Sequence, residues 1–152
     1  MPGEVSVHDR QAALSLDPAA IEQLVRHVLS AEGADDASIE IAIVDDETQS
    51  DLHLRFLSIP GPTDVITFPW EEEFTPHGSP VLGEVVVSAE TAIRQAGDHP
   101  EPPIEGDPLR ECLLYVVHGT LHLLGYDDLT PEDAQRMAAR QDELFREWWS
   151  QT

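Results

Sequence analysis

The stretch PLRECLLYVVHGTLHLLGYDDLT, residues 108–130, decides the fold of this chain. Asp107 and Pro108 offer an N-cap and a first-turn residue for a helix, and the apolar run that follows stops at Gly125. Because apolar residues surround the axis of this helix almost completely, we expect it to be buried. The rest of the molecule should therefore pack around it.

Two histidines, His118 and His122, stand one turn apart on this helix. The spacing puts both side chains on one face, about 5 to 6 Å apart at their Cβ atoms, so that one cation can bridge them. Gly125 can take the left-handed conformation that ends a helix and can let Asp127 or Asp128 fold back as a third ligand. Simple packing of the pair is the alternative, but buried imidazoles need polar partners, which a metal would supply.

The zinc-protease motif HExxH has a glutamate general base directly after its first histidine. Gly119 occupies that position here, which disfavours a protease of this type. Water at such a metal would be activated by the metal itself or by an acid from another segment. The sequence offers Glu84 and Asp64 as that acid.

The bulk properties indicate a soluble globular protein. We expect a single domain over residues 1–152, and the lone Cys112 lies in an apolar segment typical of a small core residue rather than a redox centre. An 18-residue apolar run is missing, and the first residues lack a basic region followed by an apolar core. We therefore expect neither a membrane span nor a signal peptide, and a cytoplasmic location.

The chain is strongly acidic, with 30 acidic residues, eight arginines, no lysine and a net charge of -22. This charge favours solubility and repels a polyanion at long range. Taken alone, it argues against RNA binding unless a locally positive groove or a metal ion assists.

Apolar periodicity, caps and breakers predict the other elements. The stretch 70–80 between two of the predicted strands is too long for a tight hairpin, and prolines keep 97–107 an extended loop. The predicted strands are 38–45, 63–68 and 81–88, and the predicted helices are 17–31, 46–57 (a weak pattern), 89–96 and 130–149, the last with Met137, Leu144, Phe145 and Trp148 inward.

Three segments, in order, resemble one protein family. HGTLHLLGYDD (118–128) resembles the signature HGxLHLxGYDH of the YbeY family of metal-dependent endoribonucleases and rRNA-maturation factors. PTDVITFP (62–69) and LGEVVVSAETA (82–92) resemble the family patterns PT(D/N)VLSFP and LGDIVISxxxA. The resemblance runs from about Ile39 to the end of the final helix.

This resemblance implies an α/β (α+β) fold in which about five helices surround a small mixed sheet, with a metal site at the end of the buried central helix. It implies one zinc-like ion per chain, held by three histidines. It also implies cleavage of single-stranded rRNA, maturation of the 3′ end of small-subunit rRNA, and ribosome quality control with the ribosome as partner.

Carried over by position, the first two metal ligands are His118 and His122, and the third falls on Asp128, where the family usually has histidine. A carboxylate binds zinc at about 2.0 to 2.2 Å, much as imidazole does. Its negative charge makes the metal a weaker Lewis acid. Two histidines and a carboxylate also suit iron, so another divalent transition metal remains open.

A second departure concerns an arginine that the family carries shortly before PTDV and that contacts RNA phosphate. Leu57 stands at that position, and Phe56 replaces the tyrosine before it. Arg55 can substitute only if the segment is a strand, because on a helix it points elsewhere. Arg55 and Glu84 complete the candidate catalytic set with the three metal ligands. Leu114 stands where many members have a further histidine.

Three hypotheses follow. The first is an active endoribonuclease, and the second is a ribosome-assembly factor that binds metal but is catalytically weak or inactive, as Leu57 and Asp128 suggest. The third is a metal-dependent hydrolase with a substrate other than RNA, which the acidic charge suggests.

Overall fold

A computed structural model describes residues 3–70, 80–96 and 107–151. Strands and helices alternate along much of the chain, as the patterns predict, and the mixed α/β architecture with five helices is confirmed. The elements are β1 (Val5–Asp9), α1 (Pro18–Ala31), β2 (Ser38–Val44), α2 (Asp46–Leu57), β3 (Val65–Pro69), β4 (Val81–Ser88), α3 (Ala89–Ala96), α4 (Pro108–Leu123) and α5 (Pro131–Trp149).

The four strands form one mixed sheet in the order β1-β2-β4-β3. β2 pairs in parallel with both β1 and β4, while β3 runs antiparallel to β4. The stretch 71–79 that joins β3 to β4 lies outside the described residues, as do 97–106, so the two loop predictions stay predictions.

β1 is an element that the sequence analysis missed. Its five residues form an outer strand of the described sheet, paired with β2, and only Val5 in it is buried. A short strand with one buried side chain carries almost none of the apolar alternation by which strands are detected.

α4 is the buried centre of the fold, as its all-round apolar surface predicts. It contacts β3, β4, α1, α3 and α5. Cys112 on this helix is fully buried, and burial raises the pKa of its thiol to about 12. The thiol is therefore neutral at physiological pH, which fits a core residue rather than a reactive one.

Gly119 lets α4 lie directly against the sheet. A Cβ atom at this position would come within 2.4 Å of Val85 Cγ1 and 3.1 Å of Val65 Cγ2. Both contacts are closer than carbon atoms can approach without a shift. The missing side chain thus sets the distance between the helix that carries the two histidines and the strands β3 and β4.

α2 is a helix, as predicted, but it packs in an unusual way. Its residues Leu54, Phe56 and Leu57 are 54%, 61% and 52% exposed, whereas Gln49 is fully buried. The amide nitrogen of Gln49 donates to the carbonyl of Val86 at 3.1 Å. Because the one buried residue of α2 is polar, apolar periodicity gives only a weak helix signal here.

A hydrogen-bond cluster on Asp46 fixes the first turn of α2. The hydroxyls of Ser88 and Thr91 each donate to Asp46 Oδ1 at 2.7 Å, and Arg94 forms an ion pair with Oδ2. Burial of the carboxylate opposes its ionisation, but the hydrogen bonds that it accepts outweigh burial and hold its pKa below 3.8. The cluster ties α2 to β4 and α3.

We expect Gly119→Ala to destabilise the fold by about 1–2 kcal/mol, although alanine is the better helix former, because the added methyl group overlaps Val85. In a Val85→Ala background the same substitution should cost clearly less, because only the 3.1 Å contact with Val65 remains. Urea unfolding of the four proteins of this double-mutant cycle measures the difference. Equal destabilisation in both backgrounds would show that the Val85 contact is not the cause.

We expect Asp46→Asn to lower the free energy of unfolding by about 1 kcal/mol at pH 7. Since the folded pKa lies below the unfolded one, the stabilisation is present above about pH 4 and is lost as the pH falls through the folded pKa. Urea unfolding between pH 3 and 7 should show the two proteins converging at the acid end. Asp51→Asn, which removes only an exposed pair with Arg55, is the control and should change stability by less than about 0.5 kcal/mol.

Candidate metal centre

The last two turns of α4 bring the two histidines together. His118 and His122 are both partly buried, and their Nε2 atoms lie 3.1 Å apart. The imidazole rings meet nearly edge to face, with an interplanar angle of 80°. Both Nε2 atoms therefore point at one place.

The turn after α4 supplies a third group. Gly125 has φ 110°, and the amide of Tyr126 donates back to the carbonyl of Leu121 at 3.1 Å, so that the chain folds back over the helix end. This brings Asp128 Oδ2 to 4.0 Å from His118 Nε2 and 3.7 Å from His122 Nε2.

Asp127 has a different role from Asp128. Its Oδ1 accepts a hydrogen bond from the amide of Leu129 at 3.2 Å, which is the usual way an aspartate stabilises a turn. The cluster of possible metal-binding groups contains His118, His122 and Asp128. Of the two aspartates that the sequence left open, the structure thus favours Asp128.

The spacing of the three ligand atoms fits a transition-metal ion. Around a tetrahedral ion with bonds of about 2.0–2.1 Å, ligand atoms lie about 3.4 Å apart. Here the two Nε2 atoms lie 3.1 Å apart, a little closer than that value. Asp128 Oδ2 lies 3.7 and 4.0 Å from them, a little farther than that value. Small side-chain movements would therefore bring all three groups to bonding distance, and solvent or substrate can complete the coordination.

The outward-facing nitrogens of the two histidines also have partners. His122 Nδ1 lies 3.1 Å from the carbonyl oxygen of Tyr126, and His118 Nδ1 lies 2.8 Å from Gln141 Oε1. A carbonyl oxygen can only accept, so His122 Nδ1 carries the proton and its Nε2 has a free lone pair. This arrangement is typical of histidines that bind metal.

Neither partner was predicted from the sequence. The Tyr126 partner is a backbone atom, for which no side-chain signal exists. The sequence pattern does single out Gln141, because it is a polar residue in the apolar stripe of α5, one turn after the buried Met137. A polar side chain in such a stripe needs a partner, and this could have drawn attention to it.

An open cleft of about 370 Å³ lies in front of the three ligands. Asp64 lines it from the start of β3, and its Oδ1 accepts a hydrogen bond from the amide of Val65 at 2.7 Å. Arginine is absent from the described residues that line this cleft. They are Leu57, Asp64, Val65, Ile66, Thr67, His118, His122 and Asp128.

Arg55 is not brought to the ligands. The segment is helical, so that Arg55 points about 200° away from Leu57 around α2. Its guanidinium is exposed and pairs with Asp51 at 3.2 Å. Leu57 lines the cleft, and Arg55 is not among the described residues that line it.

Glu84 is not brought to the ligands either. It precedes Val85 on β4, whose side chain faces α4, so Glu84 points to the opposite face of the sheet. There its partial burial, and next the neighbouring Glu40, raise the pKa of its carboxyl. Of the two acids that the sequence offered, Asp64 is among the residues that line the cleft and Glu84 is not.

Leu114 lies one turn before His118 and is 6% exposed. The position where many family members have a further histidine is thus filled by a buried apolar side chain.

In the part of the chain that the structure describes, no helix is both long and apolar enough to cross a membrane.

Comparisons with known proteins agree with the resemblance seen in the sequence. The family model described as Endoribonuclease YbeY matches residues 6–149. The Endoribonuclease YbeY of Corynebacterium diphtheriae is 40% identical over 123 residues, which cover 76% of this chain and 60% of that protein. The Endoribonuclease YbeY of Mycolicibacterium gilvum is 40% identical over 121 residues, 74% of this chain and 64% of that protein.

The chain thus spans less than two thirds of the length of these curated relatives. A solution structure of a Thermotoga maritima protein has the same fold, with a TM-score of 0.67, 23% sequence identity, and coverage of 97% of this chain and 90% of that one. The family model spans nearly the whole chain, and on this evidence the chain belongs to the YbeY endoribonuclease family.

Proposed function

We propose that this chain is a metal-dependent endoribonuclease that cleaves single-stranded RNA, with one Zn²⁺ held by His118, His122 and Asp128. The observation that carries the proposal is the convergence of His118 Nε2, His122 Nε2 and Asp128 Oδ2 at one end of the cleft. Membership of the family supports RNA as the substrate.

A bound divalent ion supplies Lewis-acid activation of the phosphodiester and of the attacking water. The residues of the chain orient the reactants around it. Asp64 faces the same cleft, and the hydrogen bond from the Val65 amide holds its carboxylate in place. We assign Asp64 as the group that accepts a proton from the water. Arg55 and Glu84 receive no role in the reaction, because both lie away from the cleft.

The charge of the cleft distinguishes this chain from the family pattern. Two carboxylates, Asp64 and Asp128, line it, and Leu57 stands where the pattern has arginine. A dication would do no more than balance the two carboxylates. RNA phosphates would therefore find few cationic partners on the described residues of the cleft, and we expect weak RNA binding that changes little with salt concentration.

The biological role that follows from the family is maturation of the 3′ end of small-subunit rRNA and ribosome quality control. The partners would be single-stranded rRNA and the ribosome, in the cytoplasm. These assignments rest on family membership, and they extend it to a chain that spans part of its relatives' length.

A second candidate is an assembly factor that binds metal and RNA without cutting RNA. The observation that favours it is Leu57, which lines the cleft and cannot pair with phosphate. A cleavage assay separates the two candidates.

We expect about one zinc ion per chain in protein purified without chelators or an affinity metal, measured by mass spectrometry. His118→Ala and Asp128→Ala should lose the ion, and Asp128→His should keep it. Asp127→Ala is the matched control and should also keep it, because Asp127 stabilises the turn. Loss of zinc in Asp127→Ala with retention in Asp128→Ala would reverse the roles of the two aspartates.

We expect the zinc-loaded protein to cut an end-labelled single-stranded RNA, and His118→Ala to leave the RNA intact. Leu57→Arg should increase the cleavage rate at low RNA concentration by about tenfold, since it adds a charge-assisted contact to phosphate. Its zinc content should not change, because Leu57 contributes no ligand atom. Full zinc content without cleavage in zinc, manganese or iron would favour the assembly factor.

A further inference from the structure

We propose that Gln141 on α5 is a positioning residue that holds His118 in the form that binds metal. The proposal rests on the metal site of the proposed function and extends it to a side chain outside the ligand set. Its basis is the 2.8 Å contact between Gln141 Oε1 and His118 Nδ1.

The two histidines are held by partners of different kinds. His122 Nδ1 faces a backbone carbonyl, which can only accept a hydrogen bond. His118 Nδ1 faces a side-chain amide, which accepts through its oxygen or donates through its nitrogen. The form of His118 is therefore set by how the Gln141 amide is oriented, whereas the form of His122 is set by the backbone.

In this structure the amide oxygen faces the ring. Nδ1 of His118 then carries the proton, and Nε2 offers a lone pair toward His122 and Asp128. Two imidazole lone pairs 3.1 Å apart, with a carboxylate oxygen 3.7–4.0 Å away, repel one another unless a cation lies between them. The Gln141 contact thus favours the form of His118 in which a bound cation would relieve the repulsion between the three ligand atoms.

With the amide turned around, its nitrogen would donate to Nδ1. The proton of His118 would then sit on Nε2 and donate to Nε2 of His122 at the same 3.1 Å. That form satisfies both rings without a metal and blocks two of the three ligand atoms. Gln141 therefore decides between a binding and a blocked state.

α5 holds Gln141 at the place where this contact forms. Met137 and Leu144, on the same side of the helix, are buried, and Gln141 lies between them. The hydroxyl of Thr130 caps the start of α5, accepting from the amide of Asp133 at 3.1 Å. Because this cap follows Asp128 by two residues, one short turn positions both the third ligand and the helix that carries Gln141.

Two variants of Gln141 separate positioning from packing. Gln141→Leu keeps the approximate size and removes the acceptor, so it should weaken zinc binding by about 10- to 100-fold. Gln141→Glu keeps an acceptor oxygen and cannot donate, and it should bind zinc at least as tightly as the wild type. Gln135→Leu, an exposed position on the same helix, is the matched control.

Zinc affinity is measured by competition with a chromophoric chelator, and the thermal midpoint of each metal-free variant shows whether it folds. Equal affinity in all four proteins would overturn the proposal. So would a loss in Gln141→Leu that Gln141→Glu does not restore, since that would indicate packing alone.

The metal-free protein gives an independent readout. Long-range ¹H–¹⁵N NMR of the imidazoles should show a larger share of His118 with its proton on Nδ1 in Gln141→Glu than in Gln141→Leu, because a carboxylate at this position can only accept. Equal shares in the two variants would overturn the proposal even if zinc binds. Because neither measurement uses RNA, a failure to cut RNA would count against the proposed function and leave the role of Gln141 standing.

Discussion

The contact of α4 with the sheet at Gly119 is the constraint on which the rest of the structure depends. A side chain there would collide with Val85 and Val65, so the helix backbone reaches the sheet only because glycine is present. The histidines on either side of this contact are carried to the edge of β3, where the cleft lies. Gly119, where HExxH has a glutamate, offers no catalytic base, and its missing side chain allows a close approach of the helix to the strands.

Elements with an apolar stripe and a recognisable cap could be predicted well. Asp107 caps α4 as predicted, and Asp17 and Thr130, the first residues of two predicted helices, cap α1 and α5. β1 and α2 carry weaker signals for different reasons. β1 buries a single side chain at the margin of the sheet. In α2 the one fully buried residue is a glutamine, while Leu54, Phe56 and Leu57 are exposed. Patterns of hydrophobicity cannot report contacts that hydrogen bonds make.

The cluster of candidate metal ligands could be predicted because its three residues lie close together in sequence, within one helix end and one turn. The directions of the Arg55 and Glu84 side chains could not be predicted from the sequence. The direction of Arg55 depends on whether its segment is a helix or a strand. The direction of Glu84 depends on which face of β4 packs against α4. Asp64 was one of the two acids that the sequence offered, and the packing places it at the cleft. Gln141 reaches the site from α5, so that only the packing reveals its proximity.

The short turn from Gly125 to Thr130 has a thermodynamic consequence. Its Asp128 is near the histidines only when the turn is folded, and in the unfolded chain the three ligands are no longer held together. An ion that binds the folded chain alone stabilises it in proportion to the logarithm of its free concentration. If the proposed site binds its ion, the stability of the junction between α4 and α5 would thereby be linked to the metal supply of the cell.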